Sequence, residues 1–344
     1  MFAVVVLAAC EHYPRESERI VAAFEQAQLV YGEGENDTVL FIPELDEAPA
    51  YYARKKDYGK AALAALYHGY SEKEYDRTAA MTAFKDAEQY GELVHDSLTI
   101  ARAQYQMGKM LCYDGMEKDA IVMFRSSEGN FGRDYFGQAL VLNAEACSYI
   151  LLGDYTKAEI CLNKSFSFAE QDLSDETRSK VLNNYAKLYQ LQGTYDKAID
   201  YLRMAKPTNN QQMTLNLLNL GSVFMATGEM DSTAYYFGQM ENLLSETDIK
   251  DETKASAYVS LTQFAELQGD YAKALEYQKN NKRYILRVKD RIEKDGVYRI
   301  QQQYNYESLR NEMNEKVLVR QRIILIMSLV IVLVCLYLLV LKER

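Results

Sequence analysis

The sequence predicts an all-α protein whose middle is an α-solenoid, a stack of helix-turn-helix repeats. Two observations support this prediction. Only 4 prolines and 17 glycines occur among 344 residues, while alanine, leucine, glutamate, lysine and glutamine are frequent, and this composition favours helix over strand. A pattern centred on a glycine also recurs between residues 100 and 282, and a repeat of this length is typical of stacked helical hairpins.

Each copy of the pattern has a glycine and, five positions later, an alanine or threonine. Successive glycines are 35 to 41 residues apart. The glycine permits the left-handed backbone that ends a first helix, and the small residue admits close contact as the second helix begins. The five copies have these two residues at Gly115 and Ala120, Gly153 and Ala158, Gly193 and Ala198, Gly228 and Thr233, and Gly269 and Ala274.

Further residues recur at fixed distances from each glycine. A small residue lies seven positions before it, where a neighbouring helix approaches closely: Gly108, Ala146, Ala186 and Gly221. A large apolar residue nine positions after it shares a helix face with a small or flexible residue three positions further on. These second-helix pairs are Phe124 with Ser127, Leu162 with Ser165, Leu202 with Ala205, and Phe237 with Met240. The last copy has Gln278 at the large position, and a sixth, degenerate copy with Phe84 precedes the others.

This pattern resembles the tetratricopeptide repeat over about half of the chain. The resemblance implies a curved array in which first-helix side chains line a concave groove, where an extended peptide or a partner helix binds. Asparagine amides pair with the donors and acceptors of a peptide backbone, and lysines pair with a carboxylate. The repeat register places seven residues near this groove: Tyr105, Lys109, Asn143, Asn183, Lys187, Asn219 and Gln263.

The repeats occupy residues 71–282, and the flanking segments differ in composition. Residues 11–70 are mostly helical in pattern without the repeat spacing, which predicts a helical cap. Residues 283–322 contain no proline and carry charges throughout, which predicts a long connecting helix. Apolar residues recur along it at helical spacing, so the sequence leaves two interpretations open: a two-stranded coiled coil that forms a homodimer, or a solvated helix docked on the last repeat.

Both ends of the chain are apolar. Residues 323–341 contain no charge and, at about 1.5 Å per residue, span about 28 Å, which predicts a transmembrane helix followed by a cytoplasmic tail at 342–344. Residues 1–10 end in Leu-Ala-Ala-Cys, which resembles the lipobox of a bacterial lipoprotein signal peptide and implies a lipid on Cys10. The positively charged leader is missing, so an ordinary cysteine at this position stays open.

The lipobox and the apolar helix together predict a single-pass protein of the cell inner membrane whose repeats face the periplasm. The basic residues that flank the predicted span do not decide its orientation. The order of lipobox, repeats, polar helix and span resembles a group of Bacteroidetes envelope proteins, in which a coiled-coil, kinase or DNA-binding segment often follows the span. Here only Lys342, Glu343 and Arg344 follow.

The resemblance therefore favours a membrane-anchored protein that binds a protein or peptide in the cell envelope, as part of a signalling or assembly complex. Two alternatives are a truncated transmembrane sensor without its output domain and an unrecognised envelope hydrolase. We expect no enzyme activity, because the three histidines lie far apart and no phosphate-binding loop or nucleophile elbow occurs. We also expect no metal or other cofactor, and the net charge of -10 argues against a nucleic-acid partner.

Overall fold

The computed structural model describes residues 16–295, apart from residues 33–39, 41, 75 and 173–174. Within this part every regular element is a helix, so the all-α helical repeat solenoid is confirmed there. The chain begins with α1 (Glu16–Tyr31), a short 3-10 helix (Pro43–Asp46) and α2 (Ala48–Arg54). These three elements pack against one another and against the helix that follows, which makes them a cap on the stack.

Six helix pairs follow the cap in the described part, and the two helices of each pair pack along each other. Their bounds are α3 (Tyr58–Glu72) with α4 (Arg77–Val94), α5 (Ser97–Tyr113) with α6 (Glu117–Phe131), α7 (Tyr135–Leu151) with α8 (Tyr155–Asp172), α9 (Asp175–Leu191) with α10 (Tyr195–Met204), α11 (Asn210–Thr227) with α12 (Met230–Leu243), and α13 (Asp251–Leu267) with α14 (Tyr271–Asp295). The pairing starts at Tyr58, so α3 is a first helix although all but its last two residues fall within the predicted cap at 11–70.

The five predicted turn glycines all lie between a first and a second helix. Their φ angles fall between +74° and +83°, a left-handed backbone that costs little only for a residue without Cβ. At Gly153, for example, the backbone N–H of Asp154 donates to the carbonyl oxygen of Tyr149 at 2.9 Å. This bond satisfies a carbonyl at the end of α7 and turns the chain towards α8.

The two helices of a pair approach most closely where the small first-helix residue meets the large second-helix residue. A Cβ on Gly108 would lie 2.6 Å from Cε1 of Phe124, and Phe237 fills the equivalent space beside Gly221. Where the first helix carries alanine, the second helix carries the smaller leucine, as with Ala146 and Leu162, which are both fully buried. The repeats therefore conserve the combined volume of the pair, because the helices pack at crystal-like density.

A hydrogen bond recurs at the other shared position of the second helix. Ser127 donates from Oγ to the carbonyl oxygen of Ala101 at 2.8 Å, and Ser165 donates in the same way to Ala139 at 2.6 Å. The small serines predicted at this position thus also bind the backbone of the first helix. Since both bonds are buried, each one holds the two helices of its pair at a defined distance from each other.

Several predicted features lie outside the described residues: Cys10 and the signal segment 1–10, the span 323–341 and the tail 342–344. None of the helices in the described part is both long and apolar enough to cross a membrane. The predicted connecting helix begins inside α14, which continues without a break to Asp295. Its remaining residues, 296–322, are outside the described part as well.

The contact between Gly108 and Phe124 leads to a stability prediction. We expect Gly108→Ala to destabilise the protein by about 1–3 kcal/mol, because the new methyl group overpacks against the ring. Adding Phe124→Leu should recover part of this loss, since that pair of residues is the one used by α7 and α8. Urea unfolding followed by circular dichroism would measure both changes.

Gly129 in α6 is the matched control, because a Cβ there meets no atom within 4 Å. Gly129→Ala should leave the free energy of unfolding unchanged or raise it by up to about 1 kcal/mol through helix propensity. An equal loss of stability in Gly108→Ala and Gly129→Ala would contradict the packing explanation.

Candidate peptide-binding groove

The first helices of the stack form one continuous surface. Each first helix packs against the first helix of the next pair, from α3 through to α13, whereas consecutive second helices barely touch within the described part. Because the first helices lie closer together than the second helices, the stack curves towards the first-helix side. This inner surface is the groove in which the sequence places the candidate binding residues.

Amide side chains connect consecutive first helices across the groove. Asn184 of α9 donates from Nδ2 to Oδ1 of Asn143 on α7 at 2.8 Å, and Asn219 of α11 donates to Oδ1 of Asn183 on α9 at 3.3 Å. Both bonds join the position ten residues before one turn glycine to the position nine residues before the next. The same offset of one residue in both bonds shows that neighbouring repeats are aligned in the same way along the groove.

The three predicted asparagines do not share one role. Asn183 is only 8% exposed and donates to the carbonyl oxygen of Ser179 at 2.8 Å, so its amide is taken up by contacts within the protein. Asn143 and Asn219 are half-buried and keep an edge open to the groove. Asn184 is half-buried beside them although it is not among the predicted groove residues. The sequence contained a signal for Asn184, because Asn184 and Asn219 each stand nine residues before a turn glycine.

Lys187 is the most distinctive charge of this surface. Its side chain is exposed to solvent, yet the protein around it lowers the pKa of its amino group by desolvation. Among the described residues, no carboxylate forms an ion pair with Lys187. A lysine that stays solvent-accessible while its cation is poorly solvated is suited to receive an anionic group of a ligand.

The other predicted residues lie at the two ends of the groove. Tyr105 and Lys109 are half-buried on α5, with the Lys109 Nζ 5.3 Å from the Tyr105 ring centroid. Lys109 also lines a cavity of about 330 Å³ that reaches from α5 to Asp251 and Glu252 in the first turn of α13. Gln263 is exposed on α13. The structure thus brings Asn143, Asn219 and Lys187 together in the central repeats and separates the remaining candidates.

Nucleophilic or metal chemistry finds little support in the described part. No group of three or more histidine, cysteine, aspartate or glutamate side chains there is arranged to hold a metal ion. Cys147 lies at the groove position equivalent to Lys187, and burial raises the pKa of its thiol to about 12. This thiol is protonated at neutral pH, which makes it a soft apolar contact and a poor nucleophile.

The fold and the inner surface define a helical repeat protein with a first-helix groove. Residues 137–207 match the family model described as tetratricopeptide repeat. These residues cover α7 to α10, where the glycine, alanine and leucine pattern is most regular. The match supports the presence of tetratricopeptide repeats in this part of the chain. A comparison with curated proteins gives no significant match.

Several solved structures have folds similar to that of this chain. The apo form of RapI has a TM-score of 0.58 at 15% identity and covers 79% of this chain and 99% of its own. Aspartyl phosphate phosphatase F from Bacillus subtilis has a TM-score of 0.50 at 15% identity, with 79% of each chain covered. The APC/C hetero-tetramer Cut9-Hcn1 has a TM-score of 0.52 at 11% identity and covers 80% of this chain and 53% of its own. At these identities the likeness shows the fold alone.

The buried Asn183 leads to a prediction about the inter-repeat contact. We expect Asn183→Ala to lower the free energy of unfolding by about 1–3 kcal/mol, because it leaves the Asn219 amide without its acceptor. Gln192→Ala, which changes an exposed amide at the end of the same first helix, should change stability by less than about 0.5 kcal/mol. Chemical denaturation would measure both variants, and equal values would refute a structural role for Asn183.

For Lys187 we predict the opposite effect, a gain of stability when the side chain is replaced. Because its pKa is lowered on folding, the cation disfavours the folded state at neutral pH, and this penalty disappears as the pH rises through the lowered pKa towards the ordinary 10.5. We expect Lys187→Met to raise the Tm at pH 7 by roughly 1–2 °C, a small change because the amino group still reaches water. The gain should shrink as the pH approaches 10.5. A fall in Tm at pH 7, measured by calorimetry, would show that the cation is well solvated.

Proposed function

We propose that this protein binds an extended peptide, or an extended segment of a protein, in the groove lined by its first helices. One observation carries the proposal: Lys187 is exposed on the groove face of α9, and no carboxylate of the described residues forms an ion pair with it. Desolvation by the surrounding protein also lowers the pKa of its amino group. An anionic group of a ligand would supply the missing partner. The half-buried amides of Asn143, Asn184 and Asn219 stand beside it to pair with a peptide backbone.

The tetratricopeptide repeats support a binding role over catalysis. Arrays of this kind present a long inner surface made of many repeats, and such a surface suits an extended ligand better than a compact one. We therefore place the function in recognition, with sequestration or assembly of the partner as its outcome. Signalling output, if the partner belongs to a signalling complex, would come from another polypeptide.

We further propose that the groove works beside a membrane. The support is in the sequence: residues 323–341 form an uncharged segment of spanning length, and Cys10 stands at the end of a lipobox-like segment. A tether at the C-terminal side would keep the repeats close to the bilayer. In this proposal the repeats face the periplasm and the anchored protein gathers its partner at the inner membrane.

Peptide selection followed by affinity measurement tests the binding role. Random nonapeptides displayed on phage would be panned on the full chain in detergent micelles, and the enriched peptides measured by fluorescence anisotropy. We expect Lys187→Met to weaken their binding by about tenfold or more, because a hydrogen bond to a charged group is lost. Lys279→Met, an exposed lysine on the second helix α14, is the control and should bind as the unchanged protein does. If no peptide is enriched, or if both variants bind equally, the groove proposal fails.

Cell fractionation tests the tether separately. We expect the full chain to sediment with membranes and to resist extraction by high salt, because about 19 uncharged residues partition into the bilayer. Deleting residues 323–341 in a Cys10→Ser background should move the protein to the soluble fraction, while Cys10→Ser alone should leave it in the membrane. Recovery of the combined variant in membranes in undiminished amount would show that the span does not anchor the protein.

A further inference from the structure

A row of exposed apolar side chains runs along the first helices. Two residues before each turn glycine stand Tyr113, Leu151, Leu191 and Leu267, with exposed fractions of 42%, 67%, 44% and 61%. In α11 the equivalent residue is Ala226, which is also exposed but small. Because four of the five glycine-ended first helices expose a large apolar residue at one register position, the exposure belongs to the repeat and not to a single irregular site. We call these residues the apolar row.

The apolar row lies on the face of the first helices that lines the groove. In α9, Asn184, Lys187 and Leu191 follow one another at intervals of three and four residues, and such residues share one face of an α-helix. The bond between Asn184 and Asn143 holds α9 and α7 side by side with repeat positions that differ by only one residue. Leu151 and Leu191 are therefore neighbours along the same groove, beside the amides and the lysine.

The geometry of this row points to the pattern of the ligand. Helices in contact lie about 8–10 Å apart, and consecutive first helices contact each other, so we expect successive members of the row to repeat at about that distance. An extended peptide in the polyproline II conformation rises about 3.1 Å per residue with three residues per turn, and therefore repeats one face about every 9 Å. A β-strand repeats a face about every 6.6–6.8 Å, which does not match the row.

The amides beside the row argue for an extended ligand over a helical one. The backbone N–H and C=O groups of a helix are bonded to each other, whereas those of an extended peptide stay available for side chains of the groove. Asn143, Asn184 and Asn219 are placed to bind such groups. Lys187 lies between Asn184 and Leu191 on the same helix face, so an acidic side chain of the ligand would stand next to one of its apolar residues.

We propose that the groove selects an acidic, extended peptide with large apolar side chains at every third position. The apolar row receives these side chains, the groove amides hold the peptide backbone, and Lys187 pairs with a carboxylate between them. This inference rests on the proposed function and adds the chemistry and the spacing of the ligand. Binding of such a peptide requires only that its apolar side chains are buried against the apolar row and that one ion pair forms with Lys187. Both contacts raise the affinity without a change in the fold.

A row variant with a matched control tests this inference. The enriched nonapeptides from the selection on the full chain would be measured against Leu151→Ser with Leu191→Ser. The control is Val122→Ser with Ile160→Ser, which changes two residues of comparable exposure, 56% and 51%, on second helices. We expect the row variant to bind about tenfold or more weakly for each leucine, and the control to bind within twofold of the unchanged protein. Circular dichroism would verify that both variants fold.

The sequences of the enriched peptides provide the second measurement. We expect large apolar residues three positions apart with an acidic residue between them, and a loss of about tenfold when the same residues are rearranged to a spacing of two or four. Peptides that need Lys187 but tolerate both the row variant and the rearranged spacing would overturn this inference and leave the proposed function standing. A preference for the spacing of four would assign a helical ligand instead. If no peptide is enriched, the proposed function itself fails.

Discussion

The structure depends on the contact between a small residue of each first helix and a large residue of its second helix. Gly108 with Phe124 and Gly221 with Phe237 are one solution to this contact, and Ala146 with Leu162 is another. Neither helix of a pair can bury its apolar face alone, so the depth of this contact sets the distance between the two layers of the stack. The positions of all groove residues follow from that distance, since they are carried on the first-helix layer.

Contacts between repeats then determine the shape of the groove. The first helices pack on one another, and the asparagine pairs Asn143 with Asn184 and Asn183 with Asn219 hold neighbouring helices in register. These amides contribute to both the structure and the groove surface, because a hydrogen bond on one edge of an amide fixes the orientation of its other edge. A groove whose polar groups are already oriented loses less entropy on binding than a flexible one.

Lys187 shows how the proposed binding surface differs from a surface optimised for stability alone. Desolvation lowers the pKa of its amino group, so the free protein carries a charge that disfavours its folded state. Stabilising contacts elsewhere in the stack offset the unfavourable free energy of this desolvated cation. A ligand carboxylate that pairs with the cation would remove that unfavourable contribution. The exposed leucines of the apolar row also carry a free-energy cost in the free protein, because the apolar side chains of Leu151 and Leu191 are in contact with water.

The sequence by itself determined the helical class, the helix pairs and the turn positions, because a glycine in the left-handed region and residues at helical spacing are local requirements. Gly153 and Ala158, for example, mark one turn without any tertiary information. Only the tertiary structure decided that Asn183 is used within the protein while Asn184 borders the groove, since adjacent residues on a helix differ by about 100° and their partners come from other repeats. The lowered pKa of Lys187 likewise depends on desolvation by the protein around it, which arises only when the chain has folded.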